Sequence, residues 1–248
     1  MLEAMISWLY PAAGVIGAIA AIGALTTRKG GDMHRRTGRA GFWAMLVLAG
    51  CVIWTGLSAN GYLTLLLGLL SGYLAISGYR ALYLKRSVPR ATFGPTRAGA
   101  LDKGLAQLLL VTCCAVSAWG MMALPAELDA FELPKVETVL MIVIGLAGAM
   151  LALRDLGRFR TPPPDPNRWL IIHVTRMLCS VTVAGIAASV EFAVSVPEVL
   201  RWAVPATAGG IAIWITVRWL AGRLQHEGDP RSYYDIRIAE LHAESEES

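Results

Sequence analysis

Seven apolar stretches, at roughly 7–26, 38–57, 61–84, 104–124, 136–156, 169–190 and 198–221, alternate with short polar segments along the chain. Each matches the about 20 mostly apolar residues that a helix needs to cross about 30 Å of hydrocarbon. The polar gaps Ser58–Gly61 and Glu191–Pro197 are short enough to be tight hairpin turns on one side of the bilayer. The pattern predicts an all-α bundle of seven transmembrane helices over 1–224, followed by a polar tail over 225–248. The first stretch, AAGVIGAIAAIGAL, is built of small residues that let neighbouring helices approach closely in lipid. Pro162–Pro164, followed by Asp165, Pro166 and Asn167, stops the fifth helix and forces an extended link. The sixth then starts near Arg168 with Asn167 as its cap. In the tail, Asp229–Pro230 is a break, and Tyr234–Ala243 reads as a surface helix before a disordered AESEES end.

The charges orient this bundle. Arg28, Lys29, Arg35, Arg36 and Arg39 follow the first span, Lys85, Arg86, Arg90, Arg97 and Lys103 the third, Arg158, Arg160 and Arg168 the fifth, and Arg223, Arg231 and Arg237 the last. The other side carries Lys135 and Arg201 among the acids Glu3, Glu127, Asp129, Glu132, Glu137, Glu191 and Glu198. The positive-inside bias therefore puts the N-terminus outside and the C-terminus in the cytoplasm.

Composition agrees: 55% of residues are hydrophobic and 16% charged, where soluble proteins carry roughly 25% charged. The formal net charge of +4 sits between apolar segments, so it speaks for topology and lipid headgroups rather than for nucleic acid. MLEAMISW has no basic residue ahead of its apolar run, so the first segment is expected to remain a membrane helix. Cys51, Cys113, Cys114 and Cys179 lie inside apolar stretches without zinc-site spacing and read as buried thiols. Tryptophans at the span ends, such as Trp43 and Trp169, read as interface anchors.

GxSxG, P-loop, dinucleotide-binding and HExxH patterns are all absent, so no enzyme class follows from motifs. Ionisable groups deep in the spans are almost missing, which argues against a carboxylate proton relay across the bilayer. The candidates gather toward the cytoplasmic ends instead. His173, Arg176, Met177 and Ser180 fall at i, i+3, i+4 and i+7 and share one helical face. Tyr79, Arg80 and Tyr83 close the third helix, and His34, Arg35 and Arg39 open the second.

One reading is a site where Arg35, Arg39, Tyr79, Arg80, Tyr83 and Arg176 bind an anionic lipid, a quinone or a small solute, in transport or lipid handling. The alternative is a redox protein in which His34 and His173 ligate a single haem b, with nearby arginines on the propionates, or a metal that Asp32 would help to hold. Two histidines allow at most one bis-histidine haem. The simpler account of any one arginine is that it snorkels to lipid phosphates. Gly30–Gly31, ahead of the second helix, adds a candidate phosphate contact.

KGGDMHRRTGRAGFWAML resembles the K-G, then H-R-x-x-G-R, then apolar-helix motif of a bacterial family of predicted multi-pass membrane proteins, a domain of unknown function. SGYRALYLKR and RWLIIHVTRMLCSVTVAG look like that family's two other marked segments. The resemblance covers roughly residues 15–220 and implies that His34, Arg35, Gly38, Arg39, Tyr79, Arg80, His173, Arg176 and Met177 match the family pattern. It implies a bacterial inner-membrane location and supplies no activity.

Overall fold

A computed structural model describes residues 2–27, 31–59, 61–84, 98–129, 136–160 and 168–226, without the side chains of 2–4, 126–129 and 223–226. The described residues form helices α1 (Leu2–Thr26), α2 (Asp32–Ser58), α3 (Tyr62–Ala81), α4 (Ala100–Asp129), α5 (Val136–Arg160), α6 (Arg168–Phe192) and α7 (Glu198–His226). All seven are long and apolar enough to cross a membrane. This is an all-α integral membrane protein.

The helices extend past the apolar stretches, because backbone hydrogen bonding continues into the headgroup layer where the side chains turn polar. The clearest case is α2. Its hydrophobic run starts near residue 38, yet the helix opens at Asp32, after Gly31 in an extended conformation (φ −70°, ψ 169°). The Arg35 N–H donates to the Gly31 carbonyl at 3.0 Å, so His34 lies in the first turn rather than in a loop. At the other extreme α3 ends at Ala81, which leaves Tyr83 in the turn beyond it. The Pro162–Pro164 link, the Asn167 cap and the tail from residue 227 lie outside the described residues.

α1 packs on α2, α2 on α3, α4 on α5 and α6 on α7, and α3 is the axis around which they close. It packs against α2, α4, α5 and α6, and 61% of its most apolar window is buried, against none of α7's. One core cluster joins α3 to α4 and α5 through Leu66, Leu70, Tyr73, Leu109, Cys113 and Met141. The other joins α3 to α1, α2 and α6 through Tyr10, Met45, Leu48, Val52, Leu67 and Ala187.

In lipid such contacts are held by close van der Waals packing more than by the hydrophobic effect, so small residues set the approach. A Cβ on Gly56 would lie 2.5 Å from the Leu65 nitrogen, and one on Gly145 would lie 2.9 Å from the Cys113 carbonyl oxygen. Neither glycine admits a side chain. Large apolar side chains, among them Trp8, Ile19, Val111, Met122, Val143 and Trp214, cover the outside of the bundle. So much apolar exterior fits hydrocarbon and not water.

Candidate functional site

The ends of α1, α3 and α5 meet the starts of α2, α4 and α6 at one face of the bundle. His173 is one turn into α6, and its Nδ1 lies 2.8 Å from the carbonyl oxygen of Gly78 near the end of α3. That carbonyl is available because the last turn of α3 tightens: the Leu82 N–H donates to Tyr79 at 3.2 Å instead of reaching back to Gly78. Glycine is required here by proximity. A Cβ at Gly78 would sit 3.0 Å from Arg176 Cβ and 3.3 Å from the Met177 nitrogen.

His34 makes the matching contact on the other side, its Nδ1 lying 3.0 Å from the carbonyl of Ala24 in the last turn of α1. A carbonyl only accepts, so each Nδ1 carries the proton. In the neutral imidazole this leaves Nε2 with the lone pair. The two rings are close enough to interact electrostatically.

Arg35, Arg80 and Arg176 each meet a carboxylate within the protein. Arg80 donates through Nε and Nη2 to both oxygens of Asp102, at 2.5 and 2.7 Å, and Asp102 also accepts the Gly99 N–H at 2.9 Å. Deeper in the bundle the carboxylate of Asp155 accepts from Arg176 and from the Tyr73 hydroxyl, with Arg158 at 3.4 Å. Asp155 is 2% exposed and Arg176 6%, so this pair is out of contact with solvent. The Arg176 guanidinium also lies over the Tyr73 ring, 5.8 Å from its centroid.

Around these pairs the face is aromatic. Tyr79 stacks on Phe42 with centroids 4.3 Å apart, and the Tyr83 hydroxyl donates to that of Tyr79 at 3.4 Å. Arg39 is exposed and within electrostatic reach of Tyr79.

His34, Tyr79, Arg80, Tyr83, His173 and Arg176 are thus gathered about the end of α3. Arg35 is not among them: it points outward, bonded to Asp32 at 2.5 Å one turn away on the same helix. That contact also takes Asp32 out of the metal set drawn with His34 and His173. Among the described residues no group of three or more histidine, cysteine, aspartate or glutamate side chains is arranged to hold a metal ion. Asp32 puts a negative charge on the first turn of α2 beside Gly31, and Gly30 of the expected phosphate contact lies outside the described residues.

Sequence reasoning missed Asp102 and Asp155. The available signal was that each is an acid on the side where lysine and arginine predominate, beside a span that lacks its own counter-charge. Comparison with protein-family models, with curated proteins and with solved structures finds no match.

Proposed function

We propose that this membrane protein holds the polar head of a lipid-soluble ligand in the layer around His173, and that a quinone or its hydroquinone is the class that suits it best. The observation that carries this reading is the 2.8 Å contact between His173 Nδ1 and the Gly78 carbonyl. It leaves Nε2 as an acceptor for a hydroquinone hydroxyl. The stacked Phe42 and Tyr79 rings offer a flat surface suited to a planar head.

An anionic lipid or solute in the same layer is less favoured. Arg80 and Arg176 already face Asp102 and Asp155, so these two guanidiniums have little charge left to offer an anion. The charge distribution along the chain supports a cytoplasmic side for this layer, and the H-R-x-x-G-R resemblance supports a bacterial inner membrane. Lipid handling or transport is the role that accords with such a site.

The test is a titration of the purified protein with a short-chain hydroquinone, followed by calorimetry. Saturable binding weakened about tenfold or more in His173→Ala is expected, from the loss of one well-placed hydrogen bond in a dry site. No binding, or equal binding by the variant, overturns it.

One observation favours a second reading, a bis-histidine haem b. Both imidazoles turn Nδ1 to a backbone carbonyl, the posture that orients histidine ligands toward a metal through Nε2. Protein from a haem-replete host would then show a Soret band lost in His34→Ala and in His173→Ala. A colourless wild type rules this reading out.

A further inference from the structure

The opposite face of the bundle holds a cavity of about 160 Å³, far above the about 10–15 Å³ that admits one water. It lies where the starts of α3, α5 and α7 meet the end of α6, and Thr64, Glu137, Val190, Glu198, Arg201 and Trp202 line it. Its position at the helix ends is headgroup depth for a bilayer. Its walls combine an indole and aliphatic side chains with three charged groups.

Those charges are not used up against one another. Glu137 is in the first turn of α5 and Glu198 in the first turn of α7, where each favours its own helix dipole. Among the described residues neither carboxylate makes an ion pair with Arg201, although all three line one cavity. Arg201 donates through Nη1 to the Val190 carbonyl at 3.2 Å and so satisfies the end of α6. Its Nε is buried and has no hydrogen-bond partner.

A buried guanidinium N–H left without an acceptor is costly, and the Nε edge of the fork is shaped to receive paired anionic oxygens. The two glutamates are exposed and offer their carboxylates to a group of opposite sign with N–H donors.

The geometry points to a binding site for a small zwitterion that carries a primary ammonium and an oxyanion a few bonds apart. The oxyanion sits on the Arg201 guanidinium and the ammonium between Glu137 and Glu198. The ethanolamine phosphate head of a membrane lipid has this chemistry at this depth, and free phosphoethanolamine has the same chemistry in solution.

The site shares no residue with the layer around His173, so its fate is independent of the quinone reading. The test uses the full-length protein in vesicles of phosphatidylethanolamine or of phosphatidylcholine, with bound lipid counted by native mass spectrometry. A parallel titration in detergent uses phosphoethanolamine and a thermal-shift readout. Selective retention of the ethanolamine lipid, weakened about tenfold or more in Arg201→Gln and in the double variant Glu137→Gln/Glu198→Gln, is expected for a lipid ligand. A thermal shift with phosphoethanolamine alone, lost in the same variants, assigns the free solute instead and equally supports the site.

The double variant keeps Arg201 on Val190, and unchanged helix content and an unchanged ligand-free unfolding midpoint verify that each variant is folded. Equal retention of both lipids together with no response to phosphoethanolamine, or binding unaffected by either variant, leaves a water-filled cavity and overturns the proposal.

Discussion

Asp155 shows what a single side chain does in this bundle. With 2% exposure it sits between Arg176 and the Tyr73 hydroxyl, and removing it leaves a guanidinium buried without its counter-charge. Breaking a buried pair from one side costs about 3–5 kcal/mol, much of it the penalty of the stranded charge. Asp155→Ala is therefore expected to destabilise the protein by that amount in a denaturant titration in mixed micelles. Tyr73→Phe, which removes one hydrogen bond and leaves the ion pair, should cost only about 1 kcal/mol. Equal effects of the two would mean that the pair is not what the carboxylate sustains. The Arg80–Asp102 pair is a milder case, because Arg80 keeps a third of its side-chain surface exposed.

Arg176 could be placed from its i, i+3 spacing to His173. Asp155 could not, because an acid inside LALRDLGRFR reads as one more solvated charge among arginines until its side chain is seen to meet Arg176 of α6.

Among the elements, the crossing of α3 and α6 is the one on which the candidate site depends. Two seryl groups clasp it midway: Ser180 Oγ donates to the Ser71 carbonyl at 2.9 Å, and Gly78 lets the helices touch two turns further on. Gly78→Val would force apart contacts of 3.0–3.3 Å that include the Met177 backbone nitrogen, which cannot rotate away. It is expected to cost about 1–3 kcal/mol and to pull the Gly78 carbonyl from His173. Hydroquinone binding should fall with it.

Ser180→Ala removes a hydrogen bond worth about 0.6 kcal/mol in a membrane interior and leaves the helix spacing intact, so binding should persist. Binding that survives Gly78→Val would separate the site from the crossing.

The element boundaries were readable to within a turn at most ends, since apolar runs of this length have one plausible conformation in lipid. The six-residue advance of α2 was not, because DMHRRTGR is too polar to register as a span. That advance is what moves His34 into the helix and onto Ala24.

For the whole molecule, the seven-helix architecture was legible because each span announces itself in its own residues, while the opposite-face cavity was not, because it depends on how four helix ends fall together. Direction in the bilayer follows charge. If successive spans alternate in direction, the ends of α1, α3, α5 and α7 share a face, and Arg35, Arg36, Arg39, Arg80, Lys103, Arg158, Arg160 and Arg168 lie at helix ends on it. Positive segments resist translocation, so the cytoplasm is the expected side for this face and for the layer around His173. The acidic face with Glu137 and Glu198 would then open outward.

A green fluorescent protein fused after Ser248 should fluoresce, and an alkaline phosphatase fused at the same point should be inactive. An active phosphatase would invert the molecule, moving the imidazoles to the outer leaflet. The Arg201 cavity would then face the leaflet that meets the cytoplasm.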